Sequence, residues 1–149
     1  MPVRHPLGVG WIKGARSVDP PLGGSVVTLG TFDGVHRGHQ ALIRETVDRA
    51  RLAGVPAIAY TFDPHPAKVL APRFAPRTLM ALDRRVATMV RLGVDDVVVE
   101  VFDAAFSQVR AEAWVREDLF GRLRPRAVVV GFNFTFGKDR EGTPDRLAE

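Results

Sequence analysis

A ten-residue segment rich in glycine and histidine carries the clearest chemical pattern in the chain. Residues 30–39 read Gly-Thr-Phe-Asp-Gly-Val-His-Arg-Gly-His. Glycine lets backbone N–H groups approach an anion, and a helix that begins near Gly38 directs its positive end to the same place. Two imidazoles three residues apart, those of His36 and His39, can both donate hydrogen bonds to phosphoryl oxygens. The segment is therefore typical of a phosphate site, although it matches neither common phosphate-loop fingerprint. The alternative is a glycine-rich turn with two surface histidines.

A second loop, residues 61–66, combines an aromatic ring with two prolines in the order Thr-Phe-Asp-Pro-His-Pro. The prolines keep this segment out of a helix and out of a central strand, so it forms a stiff loop. Phe62 offers a flat apolar face to a ring system. The segment suits an aromatic ligand that carries a phosphate, and it equally suits a strand-exit turn in which Phe62 belongs to the core.

These loops need a scaffold, and the hydrophobic pattern predicts alternating strands and helices. Strands are predicted at 9–12, 25–30, 55–62, 96–102 and 127–131, and helices at 40–53, 79–92 and 110–122. The strands are continuously apolar, as parallel strands covered on both faces are. The pattern therefore predicts a single α/β domain over 25–149 with an open, doubly wound parallel sheet, preceded by an irregular, Pro- and Gly-rich lead-in over 1–24. In such sheets ligands bind off the carboxyl ends of the strands, where the unusual loops lie.

Composition excludes several other classes of protein. The chain has 149 residues, of which 46% are hydrophobic and 26% are charged, so it predicts a globular domain. No apolar run approaches the roughly 20 residues of a membrane span. Cysteine is absent, which excludes disulfides and thiolate metal sites and fits a cytoplasmic protein. The net charge is +4, but the arginines are scattered, so a solvated surface is favoured over nucleic-acid binding.

The loops resemble those of a known enzyme family. Residues 36–39 match the H-x-G-H signature of nucleotidyltransferases. The longer segment 30–39 closely resembles the FMN adenylyltransferase module of prokaryotic FAD synthetases, the bifunctional riboflavin kinase/FMN adenylyltransferases. Residues 61–66 are similar to the flavin-side loop of that family, and residues 130–137 are similar to its G-x-N/D-F-x-F-G segment. Phe132 stands where many relatives carry an acidic residue, which puts any contact of that carboxylate in doubt.

The resemblance implies a Rossmann-like nucleotidyltransferase fold and the transfer of AMP from ATP to FMN, giving FAD and pyrophosphate. It implies catalytic roles for His36, His39 and Asn133. The implied nucleotide-binding residues are Gly30, Thr31, Phe32, Asp33, Gly34 and Gly38, and the implied flavin-binding residues are Phe62, Asp63, Pro64, His65, Pro66 and Phe134. Mg²⁺ is expected on the substrate phosphates, without a metal site of the protein's own. The implied partners are the small molecules ATP and FMN, with neither nucleic acid nor membrane.

The resemblance also predicts that the sequence is incomplete at its C-terminus. Family members continue into a Ser-Ser-Thr-x-x-Arg segment that clamps the triphosphate, and then into a riboflavin kinase module, which is expected on the full-length chain. Without the clamp, FAD formation is expected to be slow or absent. Two alternatives stay open: another H-x-G-H nucleotidyltransferase, and a non-catalytic fragment that binds nucleotide or flavin.

Overall fold

A six-stranded sheet forms the centre of the structure, a computed structural model that describes residues 2–4, 10–64, 69–74, 81–131 and 142. The strands are β1 (Pro2–Arg4), β2 (Gly10–Lys13), β3 (Ser25–Leu29), β4 (Ala57–Asp63), β5 (Asp96–Val101) and β6 (Pro125–Val129). Their order across the sheet is β1-β2-β5-β4-β3-β6. Strand β1 pairs with β2 in antiparallel orientation, and the other pairs are parallel.

Helices cover the sheet on both faces. They are α1 (Arg37–Ala53), α2 (Leu82–Arg91), α3 (Ala104–Ser107) and α4 (Ala111–Trp114), which continues as π-helical turns over Val115–Leu123. One-turn 3₁₀ helices lie at Ala15–Ser17 and Pro72–Phe74. No described helix is both long enough and apolar enough to cross a bilayer. The predicted α/β fold with an open, doubly wound parallel sheet is confirmed.

Alternation along the strands distributes apolar side chains to two cores. Successive strand residues point to opposite faces. Val27 of β3 and Tyr60 of β4 therefore lie in one cluster with Trp114 of α4. Ala59 of β4 lies in another cluster, beneath Ile43 of α1 and residues of α2. Because both faces are covered, the central strands are apolar throughout, which is the pattern that the sequence displays.

The N-terminal segment confirms the strand predicted at 9–12, which is β2, but it also contains β1, where composition predicts only an irregular lead-in. Residues 2–4 and 10–13 form two strands of the sheet, and β2 pairs with β5 through Ile12↔Val98 and Lys13↔Val99. The amide of Gly14 then donates to the carbonyl of Val99 at 2.8 Å. Local composition favoured a loop here, but pairing with an open sheet edge outweighs that weak preference.

Several helix bounds also differ from the predictions. Helix α1 begins at Arg37 and not at 40, because the side chain of His36 caps it. The helix predicted at 110–122 is α4 with its π-helical continuation, and the separate helix α3 precedes it, capped by the Asp103 carboxylate, which accepts from the Phe106 amide at 2.7 Å. The helix predicted at 79–92 is α2, which begins at Leu82, and its predicted residues 79–80 lie outside the described residues, as do residues 132–137 of the segment 130–137.

A buried polar chain crosses the core beneath α4. The Tyr60 hydroxyl donates to Glu100 Oε1 at 2.5 Å and accepts from Trp114 Nε1 at 3.2 Å. Burial raises the pKa of Glu100 and also raises the pKa of Tyr60. Since Tyr60 is fully buried, its hydroxyl is what satisfies these two neighbours inside the core.

We expect Tyr60→Phe to lower the free energy of unfolding by about 1–3 kcal/mol, because it leaves a buried indole N–H and a carboxyl without this partner. Chemical denaturation at neutral pH measures the change. Ser17→Ala is the control, since it removes an exposed hydroxyl that bonds Lys13 and should change stability by less than about 0.5 kcal/mol. Equal effects of the two substitutions would contradict the role of the buried chain.

Candidate active site

The site lies where the direction of chain winding reverses. From β3 the chain adds β4 and then β5 on one side of the sheet, whereas β6 is added on the other side of β3. In open α/β sheets ligands bind at such a point, in the crevice outside the carboxyl ends of the two neighbouring strands, here β3 and β6. The Thr28 hydroxyl donates to the carbonyl of Val129 at 2.8 Å and ties the two strand ends together. The loops that follow β3 and β4 lie at this edge.

The loop between β3 and α1 has an unusual backbone. Phe32 and Val35 have positive φ angles of 52° and 44°, a region that side chains other than glycine rarely adopt. Gly34, with φ 79°, follows the same left-handed path at lower cost. The side chains of Phe32 and Val35 are almost completely buried, so packing holds this conformation in place.

His36 caps α1 through its ring. Its Nδ1 accepts hydrogen bonds from the amides of Gly38 at 3.1 Å and His39 at 3.4 Å. Because Nδ1 is an acceptor, the neutral ring carries its proton on Nε2. Gly38 is required by space, since a Cβ there would lie 3.1 Å from Cε1 of His36. The Gly38 amide, predicted to face nucleotide, is thus used within the protein, and its ligand contact stays a prediction.

His39 stacks directly on His36. The ring centroids are 3.5 Å apart with an angle of 21° between the planes, and the edge of Phe32 meets His39 at 5.4 Å. Burial, together with the neighbouring His36, lowers the pKa of His39 to about 4. His39 is therefore neutral at pH 7. Its Nδ1 is buried and has no hydrogen-bond partner among the described residues.

The loop after β3 is connected to the end of β4. The Thr31 carbonyl accepts from the Thr61 hydroxyl at 2.9 Å and from Arg85 Nη1 at 2.5 Å. Arg85 Nη2 also donates to Asp63 Oδ1 at 3.1 Å. Burial lowers the pKa of Arg85, whereas the carboxylates of Asp63 and Asp33 act in the opposite direction. The predicted residues Thr31, Asp33 and Asp63 thus surround one buried cation.

Phe62, predicted to wall a flavin, lies in the hydrophobic core. Its side chain is 6% exposed and contacts Tyr60, Phe102, Phe106 and Trp114, with ring centroids 5.6–6.4 Å away. The core alternative for this residue is therefore favoured, since little of the ring remains for a ligand. Its flavin contact stays a prediction, as does that of Pro64, which follows β4 directly.

Several predicted site residues fall outside the described part of the chain, namely His65, Pro66, Asn133 and Phe134. Gly30 is described and lies against the Phe32 ring. A Cβ at Gly30 would lie 3.2 Å from the nearest ring carbons of Phe32. Among the described residues, no group of three or more His, Cys, Asp or Glu side chains is arranged to hold a metal ion. The described site is therefore built from histidines, backbone amides and one buried arginine.

Arg85 is the site residue that sequence reasoning did not assign to chemistry. A signal was nevertheless present, because Arg85 lies three residues after Leu82 and four before Met89, on the same helical face as these two apolar residues. A charged residue on an apolar face needs a partner when it is buried. The partners, Thr31 and Asp63, lie far away in sequence, so the pattern on α2 could not identify them.

Comparison with known proteins agrees with this geometry. The sequence matches the FAD synthetase family over residues 19–149. It is 36% identical over 132 residues to the bifunctional riboflavin kinase/FMN adenylyltransferase of Escherichia coli K12, covering 88% of this chain and 42% of that protein. The Pseudomonas fluorescens protein of the same name is 38% identical over 136 residues, covering 91% and 43%. A Geobacillus thermodenitrificans protein whose name carries the same two activities is 44% identical over 122 residues, covering 81% and 65%.

The chain belongs to the FAD synthetase family, since the match includes most of its length. It spans less than half of the E. coli and P. fluorescens relatives and 65% of the G. thermodenitrificans one. Among solved structures, a protein from Streptococcus pneumoniae described as a macrolide-efflux protein superposes with a TM-score of 0.76 and 30% identity, covering 92% of this chain and 45% of that one. The shared architecture supports the Rossmann-like nucleotidyltransferase fold.

The low pKa of His39 predicts how stability depends on pH. The folded pKa of about 4 is below the ordinary value of 6.5, so between these values the unfolded chain binds a proton that the folded chain does not. The contribution of His39 to stability is therefore full above pH 6.5 and is lost as the pH falls towards 4. We expect His39→Gln to lose less stability than the wild type between pH 7.5 and 4.5 in urea unfolding. If the free energies of unfolding of the two proteins changed in parallel with pH, the prediction would be wrong, because His39 would then titrate normally.

The burial of Phe62 predicts a large loss of stability on truncation. Phe62→Ala should lower the free energy of unfolding by about 3–5 kcal/mol, because it opens a cavity among four aromatic side chains. Chemical denaturation measures this loss, and Leu70→Ala, at a half-exposed position, is the control. A loss below about 1 kcal/mol combined with a large loss of FMN affinity would instead identify Phe62 as a ligand wall.

Proposed function

We propose that this chain is an FMN adenylyltransferase, which transfers AMP from ATP to FMN. The observation that carries the proposal is the stacked pair of His36 and His39 at the N-terminus of α1, beside the crevice between β3 and β6. Two imidazoles, a helix N-terminus and a glycine-containing loop all favour negative charge at the same place. The relatives' names supply the substrates.

The reaction moves charge but needs no strong base. An oxygen of the FMN phosphate forms a bond to the α-phosphorus of ATP, and the bond from that phosphorus to the oxygen that bridges the α- and β-phosphates breaks. FAD and pyrophosphate result. Because the nucleophile is already an anion at neutral pH, the barrier comes from alignment and from crowding of negative charge. Preorganised hydrogen-bond donors relieve that crowding.

The two histidines suit this task in different ways. His36 uses Nδ1 to cap the helix, so its Nε2–H is the donor left for a phosphoryl oxygen. His39 is neutral at pH 7 because its pKa is about 4, so it contributes one N–H dipole and not a full charge. A neutral donor binds the ground state less strongly than a cation would, which leaves more of its effect for the transition state.

The remaining substrates and surroundings follow from the same proposal. ATP would enter as its magnesium complex, and the ion, held by the phosphates, would supply positive charge against the charge that develops on them. Asn133 would orient the reacting groups, and residues 63–66 with Phe134 would line the flavin side. The pairing of activities in the relatives' names suggests a riboflavin kinase as the source of FMN. The substrates and the lack of cysteine favour the cytoplasm.

Removal of either histidine tests the proposal. In the full-length chain that the resemblance predicts, we expect His36→Ala and His39→Ala each to lower kcat for FAD formation by roughly two to three orders of magnitude, by analogy with loss of one preorganised donor. The affinity for ATP should change much less. FAD formation is followed by chromatography from ATP, Mg²⁺ and FMN, and ATP binding by calorimetry.

The control is Arg44→Ala, an exposed residue of α1, which should retain wild-type kinetics. Equal losses of ATP affinity with unchanged kcat would mean that the histidines only bind the ground state. A wild-type chain that binds ATP but not FMN at high micromolar flavin would refute the FMN assignment. Another H-x-G-H nucleotidyltransferase would then be the better assignment.

A further inference from the structure

We propose that Arg85 is a positioning residue. It fixes two segments relative to each other: the nucleotide-side loop, which follows β3 at residues 30–36, and the flavin-side loop, whose described residues begin at the end of β4, at residues 61–63. The inference rests on the proposed function for the assignment of one loop to nucleotide and the other to flavin. The contacts of Arg85 with the two loops do not depend on that function. One guanidinium reaches both segments: Nη1 bonds the Thr31 carbonyl and Nη2 bonds the Asp63 carboxylate, at 2.5 Å and 3.1 Å. Since the guanidinium is rigid and planar, the two acceptors are held at a fixed separation.

The bond to Thr31 also orients the peptide unit that follows. The carbonyl of Thr31 and the N–H of Phe32 belong to one trans peptide plane and point in opposite directions. Arg85 and Thr61 both donate to that carbonyl, so the Phe32 N–H is directed away from Arg85. Phe32 holds a positive φ of 52°, and its ring contacts His39. A shift of the carbonyl would therefore move both a backbone donor and the His39 ring.

Burial indicates that Arg85 does more than add a surface charge. Its side chain is only 6% exposed, and Nε lacks a hydrogen-bond partner within the described chain. An unsatisfied buried donor is costly, and an apolar residue would suit this face of α2 better. The arginine therefore provides something that packing alone would not, and the bridge between the loops accounts for it.

The test compares Arg85→Leu and Arg85→Lys with Arg84→Leu, an exposed control on the same helix. Arg85→Leu should lower kcat per folded molecule about 30- to 100-fold, with KM for ATP changed less than fivefold, because misplacement by about an ångström costs that much. Arg85→Lys keeps the charge but lacks the planar fork that sets the separation of the two acceptors, so we expect a loss of about tenfold. Arg84→Leu should match the wild type. Thermal unfolding gives the folded fraction of each variant.

Hydrogen exchange gives a readout that does not depend on turnover. In Arg85→Leu and Arg85→Lys, amides of residues 31–35 and 60–63 should exchange faster, while the middle of α1 stays protected. Wild-type kcat and loop exchange in Arg85→Lys would overturn the proposal, since charge alone would then suffice. Faster exchange in only one loop would overturn it as well. The kinetic comparison uses the full-length chain that the resemblance predicts. If its wild type forms no FAD, the proposed function fails, and loop exchange alone decides whether Arg85 joins the loops.

Discussion

The hydrogen bonds between His36 Nδ1 and the amides of Gly38 and His39 organise the candidate site. They set the first residue of α1, because they satisfy amides that have no partner within the helix. They also fix which ring nitrogen of His36 carries a proton. With the ring held in this way, His39 lies one helical turn onward and stacks on it at 3.5 Å. One local contact therefore determines the helix start, the tautomer and the histidine pair.

The sheet determines where that contact lies. Strand β3 lies between β4 and β6 and is buried throughout, so the loop that leaves it starts from a rigid position. Its neighbours β4 and β6 end at the same edge and supply Thr61 and Val129, which bond to the loop and to the strand. The stacked histidines thus lie at the start of the helix that follows a buried strand with a partner on each side, which suits a reaction that depends on alignment.

Sequence patterns predicted most of this arrangement where the signal is local. The apolar runs at 25–30, 55–62 and 96–102 became β3, β4 and β5 within one or two residues, and Gly54 ended α1 as expected. The same patterns missed β1, since three residues next to prolines carry no strand signal of their own. Strand pairing there comes from the exposed edge of a sheet whose other members lie far away in sequence.

Side-chain roles were harder to predict than elements, because burial depends on contacts between distant residues. Phe62 is an aromatic residue next to a proline-rich loop, which is typical of a residue that lines a ligand site. Its side chain nevertheless points into the core, because strand alternation places it on the face of the sheet that Tyr60 and Trp114 occupy. Arg85 is a charged residue of the kind that usually faces solvent on a helix. The face of α2 on which it lies nevertheless turns it inwards, towards Asp63. A strand or a helix fixes the face on which a residue lies, and only the neighbouring element decides what that face meets. The aromatic ring is thereby assigned to stability and the arginine to the loops of the site.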